Sequence, residues 1–128
     1  MNQPDFIIVP RWNIPVEPAQ SIRTEHALLV SQGRILGIGK AGTALEAWPD
    51  VPRIERPDHI LIPGLINAHP HAAMSFLRGY ADGLPLDIWL GEHIWPAEQQ
   101  WVSPEFIRDG TDLAILEMIS GGTTCFQD

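Results

Sequence analysis

Apolar and polar positions alternate differently in the two halves of this chain. In the first half the apolar runs are short and end at proline or glycine. Phe6-Ile7-Ile8-Val9 is a strand-like run closed by Pro10. Ile14 to Val16, interrupted by Pro15 and followed by Pro18, predicts an edge or irregular strand, because proline cannot donate to a ladder. His26-Ala27-Leu28-Leu29-Val30, then Ser31-Gln32-Gly33-Arg34, then Ile35-Leu36-Gly37-Ile38 has the form strand–turn–strand. Gly33 can supply the positive φ that such a turn needs. Ala41 to Trp48 predicts one or two helical turns stopped by Pro49, and Ile54 and Ile60-Leu61-Ile62 predict further short strands. Together these signals predict a small antiparallel β unit.

The second half changes period. Leu65 to His69 predicts a short strand after the Pro63-Gly64 turn, and Ala72 to Tyr80 a helix or a compact loop. Leu86 to Ile94 reads as a helix that ends before Pro96. Ser103-Pro104-Glu105 is a helix start: a serine N-cap, proline at the first helical position and an acid in the first turn. That helix is expected to run to about Ser120, with Ile107, Ala114, Ile115 and Met118 on its apolar face. Gly121-Gly122 ends it and Thr123-Thr124-Cys125-Phe126 begins a strand. Strand–helix–strand in this order predicts a right-handed parallel βαβ unit. Two strands do not complete a parallel sheet, which needs helices on both faces, so the pattern is expected to be interrupted at Asp128.

Composition sharpens the division. The chain has 128 residues, 45% hydrophobic and 19% charged, which excludes disorder and coiled coil as descriptions of the whole. The formal charge is −8, with 6 basic and 7 acidic residues up to residue 64 but 2 basic and 9 acidic after it. Such a chain repels phosphate backbones and anionic lipid, so neither nucleic acid nor a membrane is expected as a partner. Cys125 is the single cysteine, which excludes an intramolecular disulfide and a multi-cysteine zinc site. No apolar run has the length of a membrane span. The expected location is the cytoplasm.

The sharpest candidate for chemistry is His69-Pro70-His71. In a strand, residues i and i+2 share a face, so two imidazoles at the end of one strand can reach one ion. Neutral imidazole suits zinc and other borderline metals. Two ligands are too few for a catalytic zinc, which takes three protein ligands and a water. His26, His59 and His93 have no partner at ligand spacing and read as surface or core-edge residues.

The run Ile62-Pro63-Gly64-Leu65-Ile66-Asn67-Ala68-His69-Pro70-His71 resembles the first barrel strand of the amidohydrolase superfamily of metal-dependent hydrolases. The resemblance continues through Leu77-Arg78-Gly79, Leu84-Pro85-Leu86, Trp89-Leu90 and Trp95-Pro96-Ala97-Glu98, and resumes at Gly110 to Ala114 and Gly121 to Thr124. It points to the branch of 5-methylthioadenosine/S-adenosylhomocysteine deaminases, which also holds adenosine deaminases and chlorotriazine-type hydrolases. It is dense over residues 62–128 and loose over 1–61.

The resemblance implies an α/β fold. Residues 1–61 would form part of a composite β-sandwich. Residues 62–128 would form the first two strands and intervening helices of a metal-dependent (β/α)8 barrel, a fold of about 250 residues when complete. It implies that His69 and His71 are ligands of Zn²⁺ or another divalent metal. It also implies that a metal-activated water displaces ammonia from the purine C6 of a small purine nucleoside. The family's remaining ligands, two histidines and an aspartate from later strands, and its glutamate acid/base lie outside these 128 residues, so no catalytic residue is expected here and the chain alone is expected to be inactive. The parent's oligomeric state, including a homo-oligomer, stays open.

Glu98 matches the family's substrate-binding glutamate, and the resemblance implies that it accepts hydrogen bonds from the ribose hydroxyls, as an ionised carboxylate can from a diol, with a solvated helix-end acid as the alternative. Trp89 and Trp95 are candidates for lining the pocket of the base or thioether tail, with core packing as the alternative; Met74 and Phe76 are read as packing. Two departures stand out: Pro70, expected to cost a ladder donor, and Gly83 after Asp82. The alternatives are a hydrolase acting on guanine, a triazine or another heterocycle, and, in another class, a small non-catalytic binding module.

Overall fold

The structure, a computed structural model, describes residues 3–128. The backbone forms two compact units, one extending to Pro63 and one spanning Gly64–Asp128.

The first unit is a five-stranded sheet with one short helix. Its strands are β1 (Phe6–Asn13), β2 (Arg23–Thr24), β3 (His26–Ser31), β4 (Arg34–Lys40) and β5 (Arg53–Leu61), and helix α1 spans Ala41–Ala47. The β3–β4 hairpin turns on Gln32 and Gly33, at φ 50° and 70°. Two successive positive φ values are what a two-residue type I′ turn requires, and glycine meets the second at no steric cost. Ile7, Ala27, Ala44 and Val51 form the buried core, with Val9, Leu29, Leu45 and Trp48 packed around it. Helix α1 thereby covers the face that Ile7 and Ala27 present.

Three expectations for this unit are corrected. Pro10 does not close the first strand: β1 continues through it to Asn13. Ile54 and Ile60 belong to one strand, β5, and β5 runs parallel to β1, so the sheet is mixed and not purely antiparallel. Both corrections share a cause. Arg56 pairs with Pro10 and Ile60 with Trp12, so the register shifts where Pro10 and Pro57 lie. A bulge leaves residues out of the ladder, which is where a residue without an N–H is tolerated inside a sheet. Third, Ile14 to Val16 is not a strand; Val16 sits at φ 70° and is 60% exposed.

The second unit is strand β6 (Leu65–Asn67), a 3₁₀ segment (Ala72–Leu77), a helical run through Leu86–Trp101, helix α4 (Pro104–Ser120) and strand β7 (Thr123–Phe126). Strands β6 and β7 pair in parallel, the arrangement expected of strand–helix–strand. The run Leu86–Trp101 comprises α2 (Leu86–Ile88), a π turn (Trp89–Ile94) and α3 (Trp95–Trp101). It does not stop before Pro96, as expected from sequence. Pro96 has no N–H for the carbonyl four residues back and its ring collides with that carbonyl. The wider turn upstream, closed by Trp95 N–H donating to the Leu90 carbonyl, lets the helix pass it.

Helix α4 begins as predicted. The Ser103 hydroxyl accepts from Phe106 N–H at 3.1 Å, with Pro104 at the first helical position. Its buried residues are Gly110 and Ala114, whereas Ile107 is 48% exposed. A Cβ on Gly110 would collide with the Ala73 carbonyl, so the helix and the 3₁₀ segment touch backbone to backbone there. No helix among the described residues is long and apolar enough to cross a membrane.

Candidate metal centre and adjoining pocket

His69 and His71 lie in the loop that leaves the C-terminal end of β6, not in the strand itself, which ends at Asn67. Pro70 is therefore outside the ladder and removes no bond from it, correcting the expected cost. The two imidazole rings are 5.2 Å apart between centroids and 73° between planes. Two imidazoles that share one zinc at about 2.0–2.1 Å have centroids roughly 5 Å apart, so this pair fits as part of a donor set. No cluster of three metal-binding side chains occurs among the described residues. A complete centre therefore needs ligands from beyond this set.

The loop is held at both ends. The Asn67 Oδ1 accepts from His69 N–H at 3.2 Å, and the Asp128 Oδ1 accepts from Ala72 N–H at 3.1 Å. His71 occupies the position just before the 3₁₀ segment, and its carbonyl accepts from Met74 N–H at 3.0 Å.

Beside the loop is a cavity of about 500 Å³ lined by His71, Met74, Trp89, Leu90, Trp95 and Glu98, among others. Four of the five side chains singled out from sequence thus meet on one surface; His69 is the one that does not line it. The π turn is part of the reason. Leu90 and Trp95 are five apart, as are Trp89 and Ile94, a spacing that a wide turn stacks on one side. The Trp89 indole N–H donates to the Tyr80 carbonyl at 2.9 Å, which satisfies its single polar group. Its ring is then apolar wall.

Arg78 also lines the cavity, but its guanidinium is committed: Nη1 and Nη2 each donate to Glu117 at 2.7 Å, and Nε to the Ser75 carbonyl at 3.2 Å. The hydrogen bond from Arg78 holds the Glu117 carboxyl below its ordinary value, and the same pair raises Arg78. Glu98 takes no part in the ion pairs described, Arg78–Glu117 and Arg108–Asp109.

Some residues were missed or misread from sequence. Met74, read as packing, lines the cavity. Phe76 does pack, edge-on to Phe106 at 5.3 Å. Gly83 sits at φ +85°, so glycine suits that turn position. His93 stands edge-on to Tyr80 at 6.3 Å. Asn67 bonds only two residues along the chain, whereas the contact of Asp128 spans 56 residues and has no local pattern to mark it.

Residues 60–128 match the model of the amidohydrolase family. The chain is 48% identical over 124 residues to a 5-methylthioadenosine/S-adenosylhomocysteine deaminase of Teredinibacter turnerae, covering 97% of this chain and 28% of that protein. A crystal structure of an adenosine deaminase from Xanthomonas campestris with bound zinc superposes at a TM-score of 0.92 and 44% identity, over 98% of this chain and 28% of that one. An atrazine chlorohydrolase from Arthrobacter aurescens shares the fold at a TM-score of 0.84 and 21% identity, over 96% of this chain and 28% of that one. This chain thus spans about 28% of the length of the relatives it matches. With the family match covering more than half of its residues, and a histidine pair on the loop after β6, the chain belongs to the amidohydrolase family.

Proposed function

We propose that this chain is the N-terminal part of a cytoplasmic metal-dependent hydrolase. Its substrates are adenosine-type nucleosides: 5-methylthioadenosine, S-adenosylhomocysteine and adenosine. The reaction adds water across the C6–amino bond of the purine and releases ammonia, leaving a carbonyl at C6. Residues 1–61 are the sandwich portion and 62–128 the start of a (β/α)8 barrel. The carrying observation is the cavity that joins His71, Trp89, Trp95 and Glu98 on one wall beside His69. The zinc-bound deaminase at 44% identity supports the metal, and the deaminase relatives support the substrate class.

His69 and His71 would hold the ion, with further ligands from beyond residue 128. Zinc or another divalent ion, when bound, supplies a water acidic enough to lose its proton near neutral pH. The residues of this chain bind and orient. Glu98 accepts hydrogen bonds from the two ribose hydroxyls, which fixes the sugar and so the distance of the base from the histidine loop. Trp89, Trp95, Met74 and Leu90 give an apolar wall that excludes water from the base and thioether. With Arg78 bound to Glu117, the wall offers the ribose an acceptor at Glu98 without a competing local cation.

The test is ammonia release by the complete parent protein from 5-methylthioadenosine, adenosine, guanine and an aminotriazine. Preference for the two nucleosides is expected. Preference for guanine or the triazine would overturn the nucleoside reading, and no release from any of the four would overturn the deaminase reading.

A further inference from the structure

The histidine loop is bracketed by two side chains that stand at the ends of the two paired strands. Asn67 is the last residue of β6, and its Oδ1 accepts from His69 N–H at 3.2 Å. Asp128 follows β7, and its Oδ1 accepts from Ala72 N–H at 3.1 Å. The first bond fixes the backbone at the first imidazole, and the second fixes it one residue past the second. The two anchors are themselves tied together: Gln127 N–H donates to the Asn67 carbonyl at 3.0 Å, extending the β6–β7 pairing to the residue before Asp128. The Asn67 amide is oriented in turn, its Nδ2 lying 3.8 Å from the Met118 Sδ on α4. Ala72 is buried, so its N–H has little access to water as a substitute partner.

We infer that Asp128 and Asn67 are positioning residues for the metal-binding histidines: acceptors that hold the His69–Ala72 backbone and set the distance between the two imidazoles. This rests on His69 and His71 being metal ligands. Neither residue needs to touch the ion. Groups that orient ligands are worth about 10- to 100-fold in metal affinity. At Asp128 the polarity matters only as an acceptor oxygen, which gives a sharp chemical criterion. Asparagine at 128 keeps that oxygen and loses the charge; alanine loses both.

The experiment compares zinc affinity of the complete parent protein, by competition with a chromophoric chelator, for the wild type, Asp128→Ala, Asp128→Asn and His71→Ala. Amide hydrogen exchange at Ala72 is followed in the metal-free proteins. Asp128→Ala is expected to weaken zinc by about 10- to 100-fold and to speed exchange at Ala72. Asp128→Asn is expected to stay within about 3-fold of wild type on both readouts, with the Ala72 N–H still bonded. Wild-type zinc affinity in Asp128→Ala, with a clear loss in His71→Ala, would overturn the positioning role alone. Equal losses in Asp128→Asn and Asp128→Ala would overturn it too, because the charge and not the acceptor would then be what matters. Equally weak zinc binding by wild type and His71→Ala would overturn the metal reading and this role with it.

Discussion

Arg78 and Glu117 close a two-bonded fork, 2.7 Å on each arm, that ties the end of the 3₁₀ segment to helix α4. The fork lies at the surface, with 60% and 47% of the two side chains exposed. It withdraws the guanidinium of the cavity wall from that cavity.

The fork makes stability depend on acid in a definite direction. The Glu117 carboxyl is held below the ordinary carboxylate range, chiefly by the hydrogen bond from Arg78. A lowered carboxyl contributes stability above its unfolded value and loses that contribution as pH falls through the folded one. The stability gap between wild type and Glu117→Gln is therefore expected at pH 7 and should close in acid, as pH falls below the ordinary carboxylate range. Urea unfolding at the two pH values checks this; a gap that stays constant with pH would contradict it. High salt should narrow the gap at pH 7.

In the proposed function Glu98 accepts hydrogen bonds from the ribose hydroxyls. Glu98→Gln in the complete protein should raise KM for a nucleoside by about 10- to 100-fold, since hydrogen bonds to a charged group contribute about 1.5–3 kcal/mol. A ribose-free heterocycle should be nearly unaffected. Equal effects on both would remove the ribose assignment.

Gly110 faces the Ala73 backbone. Alanine would favour the helix by about 1 kcal/mol on propensity. The collision is with a carbonyl, which cannot move aside as a flexible side chain can, and overpacking costs about 1–3 kcal/mol. Collision is expected to win, so Gly110→Ala should lower the denaturation midpoint. A raised midpoint would show that α4 can shift away freely.

Ser103→Ala removes the acceptor for Phe106 N–H and should cost about 1 kcal/mol. Ser103→Asp retains an acceptor and adds a favourable charge at a helix N-terminus, so it should restore most of the loss. Thermal unfolding of the two variants gives the comparison.

The 128-residue chain alone is expected to release no ammonia from 5-methylthioadenosine with zinc present. Among the described residues no third metal-binding side chain joins the histidine pair. Zinc-dependent release by the purified chain would refute this.

Much of the local structure was legible because its causes are local. The Ser103-Pro104 start of α4 and the Gln32-Gly33 turn follow from what those side chains and that glycine do to their own backbone. Parallel pairing of β6 with β7 follows from chain connectivity. The prolines misled where a distant partner changed their meaning: Pro10 survives inside β1 because β5 bulges opposite it, and Pro96 survives inside a helix because the turn before it widens.

The site divides in the same way. His69 and His71 are marked by their spacing, and Glu98, Trp89 and Trp95 by a resemblance, both properties of the sequence. What no local pattern contains is that Met74 completes the cavity wall, that Gly110 admits the Ala73 backbone, and that Asp128 reaches a backbone N–H 56 residues away. The sequence by itself determined turns, caps and donor types, because these depend on a residue and its near neighbours. The tertiary structure alone decided which strands bulge, which side chains share a cavity and what holds the histidine loop. Each of those depends on a contact between residues distant in the chain.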